Sequence, residues 1–281
     1  MAQALTAILL WSTLASLGAA LKGVPPLLVT GLALTLSGLL GLPRAREWRV
    51  SPAVLATGVS GIFGYHFLYF LGFSIAPPVE ANLINYLWPL LIVVLAPLFL
   101  PGLRLSVRHL AGALFGLCGA FLALSGGDFS RLSARAEFFP GYLAMAAAAL
   151  VWATYSLLTR RLAPFPTGAV GAFCLISGPL ALAAHFLTAG FPGGLEQVSA
   201  LQWGILIVLG VGPMGAAFYL WDAALKRSDP RAVGALSYLT PLLSTLLLVL
   251  TGGRTFAPAT LAALVLIVGG AWIGASARDP A

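Results

Sequence analysis

The chain has 281 residues, of which 60% are apolar and 8% charged, about a third of the charge carried by an average soluble domain. Its net charge at neutral pH is +7. That composition excludes a soluble globular domain and points to a chain that lives in a bilayer.

Ten apolar runs are long enough to cross a ~30 Å hydrocarbon layer as helices: 2–21, 24–42, 50–73, 79–100, 106–125, 138–159, 166–189, 199–225, 230–250 and 257–276. Loops between them are mostly short, so residues 1–281 are expected to form one all-α integral membrane bundle. Gly18-Ala19-Ala20 resembles a signal-peptide cleavage site, but no Lys or Arg precedes the first run, which argues that the run is retained.

Taken in order, the first run carries Trp11 well away from the levels where aromatic belts form. An indole N–H at that depth needs a partner that lipid cannot supply, so Trp11 belongs either to a cavity wall or to the core. Lys22, at the end of that run, either snorkels to the headgroups or meets a carboxylate. The third run holds His66, with Tyr69 and Phe70 on its face. A charge there costs at least ~3 kcal/mol, which leaves a functional histidine or a neutral, hydrogen-bonded one.

The fourth run contains Pro89 at mid-span. Proline inside a helix removes one backbone hydrogen bond and crowds the carbonyl four residues back, here that of Asn85. In lipid such a carbonyl must be satisfied by partner helices, polar side chains or water. Asn82, Asn85, Tyr86 and Pro89 recur at i, i+3, i+4 and i+7, one helical face, either a cavity wall or a helix-packing stripe. Glu80 lies in the first turn, where a carboxylate complements the helix dipole.

The sixth run places Trp152 and Tyr155 in its interior, with the same two readings as Trp11. The eighth ends with Asp222 and Lys226 at the i, i+4 spacing of an ion pair. In the ninth, Gly234, Ser237, Tyr238 and Pro241 repeat the spacing of the fourth-run stripe, and Pro241 frees the carbonyl of Ser237. Pro89 and Pro241 are therefore expected hinges. Glycines at 58, 61 and 64, at 112 and 116, and at 270 and 274 give small-residue faces for close helix approach. Cys118 and Cys174 fall in mid-run as apolar filler, and nothing in the spacing of Cys or His suggests a metal site.

The chain repeats itself. A shift of 152 lays Pro78 on Pro230, Tyr86-Leu87 on Tyr238-Leu239, and Pro89-Leu90-Leu91 on Pro241-Leu242-Leu243. A shift of 151 sets Gly119-Ala120 on Gly270-Ala271 and Ser125 on Ser276, while a shift of 141 sets Trp11 on Trp152 and Pro25 on Pro166. The halves are 1–125 and 138–281, joined by a linker at 126–137. Five spans per half is odd, so the second half enters the membrane inverted. Inverted repeats of this kind are a transporter architecture, with a site near mid-membrane and halves that rock around it.

An even number of spans puts both termini on one side. That side collects Arg44, Arg46, Arg49, Arg104, Arg108, Arg160, Arg161, Lys226, Arg227, Arg231 and Arg278, against Lys22, Arg131, Arg135 and Arg254 on the other. Eleven against four predicts cytoplasmic termini and leaves the positive charge nothing to say about nucleic acid. A hydrolase would need a nucleophile and base on facing helices, and no HExxH or GxSxG is written here.

Ten spans in a five-plus-five inverted repeat, a Trp in the first span of each half and Tyr-Leu-x-Pro-Leu-Leu in each fourth span resemble the drug/metabolite transporter superfamily, EamA type. The resemblance implies a bacterial inner-membrane exporter, working by alternating access without a cofactor, of aromatic amino acids such as Trp, Phe and Tyr, with Thr among its cargoes; the alternative is an exporter of drugs or other metabolites, such as a nucleobase or sugar, of the same superfamily. The expected substrate-binding set is Trp11, His66, Tyr69, Asn82, Asn85, Tyr86, Trp152, Tyr155, Ser237 and Tyr238. Because the repeat supplies a two-fold partner inside one chain, a monomer is expected.

Overall fold

Prolines and small polar caps set where the helices begin. In the computed structural model, which describes residues 1–128, 135–162, 164–251 and 258–277, Pro26, Pro52, Pro78, Pro140 and Pro230 occupy first turns, where a missing N–H costs nothing. Ser106 with His109 and Ser199 with Gln202 close capping boxes. The helices are α1 (Ala2–Ser12), α2 (Leu14–Ala20), α3 (Pro26–Leu40), α4 (Pro52–Val59), α5 (Tyr65–Ile75), α6 (Pro78–Asn85), α7 (Leu87–Phe99), α8 (Val107–Ser125), α9 (Phe139–Arg161), α10 (Val170–Ala189), α11 (Ala200–Val211), α12 (Ala217–Arg227), α13 (Pro230–Leu236), α14 (Leu239–Leu250) and α15 (Pro258–Ala275). No strand occurs among the described residues.

Eight helical runs are long and apolar enough to cross a bilayer: 2–20, 52–75, 78–99, 107–125, 136–161, 167–189, 200–227 and 230–250. The second and tenth expected spans fall short by length. The second ends at Leu40 because the chain bends by 83° into the 3-10 segment Leu42–Trp48; only the two together make a ninth run. The last, Pro258–Gly274, is apolar but shorter than the others.

Five runs are interrupted. Thr13 separates α1 from α2, with the Ser12 and Thr13 hydroxyls donating to the carbonyls of Leu9 and Leu10 at 2.7 Å each, a bond that bends helices. π-turns at Ser60–Gly64 and Gly212–Ala216 join α4 to α5 and α11 to α12. The run 78–99 breaks at Tyr86 and the run 230–250 at Ser237 and Tyr238, three residues or so before Pro89 and Pro241, where the expected hinges lie.

Small residues then set the packing. The most extensive pairings are α8 with α15 and α3 with α10, followed by α5 with α9 and α7 with α9. A Cβ on Gly112 would stand 2.6 Å from the Gly270 carbonyl, and one on Gly38 would stand 2.6 Å from the Leu175 Cα. Glycine there allows backbone to touch backbone. Cys174 is buried within this packing, whereas Cys118 faces outward, where lipid lies.

Several of the basic residues meet at the Met1 end of the bundle; Arg131, Arg254 and Arg278 lie outside the described residues. At that end the Met1 ammonium donates to Ser228 Oγ (3.1 Å), Arg160 to the Ser228 carbonyl (2.6 Å), and Arg161 to the carbonyls of Leu98 and Phe99 (3.5 and 3.2 Å). Arg231 donates to the Arg104 carbonyl (2.5 Å) and to Asp229 (2.6 Å). The near halves α7 and α13 also pack closely, with Gly234 against the Pro89 carbonyl. No comparable packing joins the far halves α6 and α14.

Burial works against the Asp229 charge, but the hydrogen bonds and charge of Arg231 outweigh it and hold the carboxyl below its ordinary value of 3.8. A depressed acid contributes stability above its unfolded pKa and loses it as pH falls through the folded one. Asp229→Asn should therefore melt below wild type at pH 7, and that gap should close as the buffer is taken below about pH 4, read by thermal melting of detergent-solubilised protein.

Candidate functional site

Four tryptophans from four different runs meet at mid-bundle. Between ring centroids, Trp11 of α1 lies 5.7 Å from Trp152 of α9, 6.5 Å from Trp88 of α7 and 5.1 Å from Trp221 of α12. Phe218 touches Trp11 and Trp152 at 6.2 and 5.9 Å. Tyr155 and Tyr65 reach Trp152 at 5.3 and 5.1 Å. These pairs are edge-on or tilted, the arrangement ring quadrupoles favour; Trp152 and Trp221 are the stacked pair, 6.3 Å apart.

The polar groups are placed by the helix interruptions. The Trp11 indole N–H donates to the Pro213 carbonyl (3.0 Å), inside a π-turn, and Trp221 donates to Ser156 Oγ (3.1 Å). Asn85, last residue before the Tyr86 break, donates from Nδ2 to the Tyr65 hydroxyl (3.2 Å). His66 Nδ1 stands 2.7 Å from the Ile62 carbonyl. A carbonyl only accepts, so Nδ1 carries the proton and, in the neutral ring, Nε2 is left as an acceptor. The ring is hydrogen-bonded within its own helix and packed at 6.0 Å against Phe218 and 5.1 Å from Tyr65. Trp88 and Trp152 place no indole hydrogen bond among the described residues.

Next to Trp221, Asp222 is fully buried and accepts from Lys226 (2.7 Å) and from the Thr167 hydroxyl (2.6 Å). The expected ion pair forms, inside the bundle and tied to the chain before α10 through Lys226 and the Phe165 carbonyl (2.9 Å). Glu80 also does more than face a helix dipole: it is buried and accepts from the Tyr142 hydroxyl of α9.

Of the expected set, Trp11, His66, Asn85, Trp152 and Tyr155 come together here, and Tyr69 joins by stacking on Tyr65 at 5.6 Å. Asn82 and Tyr86 are half-buried at the same helix break. Ser237 and Tyr238 stand apart. Both are fully buried; Ser237 Oγ donates to Val233 O (2.8 Å), and the Tyr238 hydroxyl accepts the Leu90 N–H (3.1 Å). With the run broken at Tyr86, Leu90 has lost its helical acceptor, and Tyr238 supplies one from the facing run. The carbonyl freed by Pro241 is likewise answered locally, by Thr240 N–H at 3.0 Å. In this structure Gly234 and Tyr238 meet the fourth run at Pro89 and Leu90, so the ninth-run stripe takes part in helix packing.

Sequence reasoning passed over Tyr65, Trp88, Phe218 and Trp221. The signal for two of them was present: the shift of 152 that aligns Pro89 with Pro241 also lays His66 on Phe218 and Tyr69 on Trp221. Trp88 lies off the Asn82–Pro89 stripe and carried no such mark.

Chemically, the cluster brings aromatic rings together with hydroxyl, amide and indole groups, and its tryptophans are buried against one another. The EamA-like transporter family model matches residues 1–125 and 139–274. The chain is 45% identical over 273 residues to an aromatic amino acid exporter, YddG, of Ancylobacter novellus, covering 95% of this chain and 93% of that one. It is 26% identical over 257 residues to the aromatic amino acid exporter YddG of Escherichia coli, covering 86% and 85%. A crystal structure 44% identical in sequence superposes with a TM-score of 0.89 over 96% of this chain and 94% of the other. The multi-pass helical bundle, its match along nearly the whole length and its close likeness to a solved relative place the chain in the EamA-like transporter family.

Proposed function

We propose that this protein exports aromatic and other neutral amino acids across a bacterial inner membrane by alternating access. The observation that carries the reading is the cluster of Trp11, Trp88, Trp152 and Trp221 at the level where broken helices converge. The names of its relatives agree with it. Trp11, Trp88, Trp152 and Tyr155 offer ring faces for the side chain, and Asn82, Asn85, Tyr86, Tyr69 and His66 meet the polar end. Ser237 and Tyr238 steady the hinge.

The proposed architecture is ten spans in two inverted halves, 1–125 and 138–281, with both termini cytoplasmic and the chain working as a monomer. Local irregularities support it. The π-turns at 60–64 and 212–216 and the breaks at 86 and 238 each recur at the same offset of 152. Pairings support it too: α5 with α9 corresponds to α12 with α1 under exchange of the halves, while α3 with α10 and α8 with α15 each exchange onto themselves.

In this reading the Met1 end is the closed gate and the far halves α6 and α14 are parted. Pro89 and Pro241 let the two broken runs bend, one for each gate. Pro89→Ala and Pro241→Ala should trap opposite conformations, scored as opposite patterns of cysteine-probe labelling from the two membrane faces; matching patterns would sink the hinge mechanism. The transport reading is tested by radiolabelled tryptophan uptake into proteoliposomes, with and without a pH gradient. Gradient-independent uptake, lost in Asn85→Ala, is expected. Absence of tryptophan flux under every condition would overturn the amino-acid assignment.

A further inference from the structure

At the Met1 end, the 83° bend after α3 leaves a groove of about 300 Å³ between the turn Gly41–Arg44 and the π-turn Gly212–Ala216. Its flank is apolar and outward-facing: Leu40 is 55% and Val211 48% exposed, and the surface continues through Ile207 and Val208. In a multi-pass protein that surface meets acyl chains. Its polar lining includes Arg44 and Tyr219, whose hydroxyl donates to the Ser37 carbonyl (3.4 Å). Arg44 makes no hydrogen bond or ion pair among the described residues. Arg46 and Arg49 follow on the same segment, with Glu47 between them accepting the Gly168 N–H (3.0 Å), so the approach carries a net positive charge.

We infer that this groove binds one anionic phospholipid, with an acyl chain along Leu40 and Val211 and its phosphate on Arg44. The apolar flank continuous with the lipid-facing surface selects a lipid over a free anion. The charge of Arg44 selects the headgroup: a choline or ethanolamine cation would be brought up against the arginines, whereas phosphatidylglycerol adds none. The groove lies on the outer side of the same π-turn whose Pro213 carbonyl holds the Trp11 indole on the inner side.

The test is lipid retention on the purified full chain by native mass spectrometry, titrating phosphatidylglycerol against phosphatidylcholine. Wild type should retain phosphatidylglycerol preferentially. Arg44→Gln should weaken it about fivefold, the factor for one basic residue at an anionic surface. Ala216→Trp fills the groove from an exposed lining position without changing charge and should abolish the preference; Arg46→Gln should change affinity less than about twofold, being off the groove. Equal retention of the two lipids, equal losses in Arg44→Gln and Arg46→Gln, or full retention in Ala216→Trp would each overturn the site. None of these readouts depends on what the protein transports.

Discussion

Trp152→Ala is expected to lower tryptophan uptake in proteoliposomes by about 30-fold or more, the loss that follows from removing a central aromatic anchor worth ~2 kcal/mol. Trp152 is the hub of the cluster, in ring contact with Trp11, Tyr65, Trp88, Tyr155, Phe218 and Trp221. Removing the indole deletes the face against which a ring would lie and leaves its neighbours free to shift. Trp152→Phe keeps a ring but not the N–H, so it should fall between wild type and alanine. Threonine uptake discriminates ring recognition from general damage. A substrate without a ring should be affected far less, and an equal loss for threonine and tryptophan would assign Trp152 to the core and not to the binding surface.

Gly112→Leu is expected to remove the folded protein from solution altogether. Its Cβ would lie 2.6 Å from the Gly270 carbonyl oxygen and 2.7 Å from the Gly274 nitrogen, and Gly270 meets the Gly112 carbonyl in the same way. Those neighbours are backbone and cannot rotate aside, so α8 and α15 would have to separate. Overpacking costs ~1–3 kcal/mol where side chains can adjust; prying apart the most extensive helix pair should exceed that. Gly269, one residue away, faces open space, and Gly269→Leu should elute as wild type. Size-exclusion profiles of fluorescently tagged variants give the comparison directly. Two matching profiles would mean that close approach of these helices is not what holds them.

How much of this could be read in the sequence depended on period and composition. Apolar runs of the right length located the helices to within a few residues, because lipid enforces both length and hydrophobicity. The glycine pairs at 112 and 270 were legible as close-approach faces, since only glycine leaves room for backbone. Interruptions of the fourth and ninth runs were legible from Pro89 and Pro241, although the helices break at Tyr86 and Ser237–Tyr238 and not at the prolines themselves. Less visible were the π-turns, which insert one residue into a helical period and leave an apolar composition unchanged. The fates of Ser237 and Tyr238 were not readable at all. A polar residue on a bent helix looks the same in one dimension whether it faces a substrate or catches the backbone of the facing helix, and only the packing of α13 on α7 decides.

Two of the contacts at the Met1 end have one property that separates them from ordinary ion pairs. Arg160 and Arg161 grip main-chain carbonyls, and neither a guanidinium nor a peptide oxygen exchanges a proton at any pH a cell meets. These two contacts therefore do not respond to pH themselves. The titratable contacts at the same end are the Arg231–Asp229 pair and the Met1 ammonium. In the proposed cycle, a ligand shifts the balance of open and closed forms only by as much as it binds one better than the other, and Arg160 and Arg161 add the same resistance to opening at every pH.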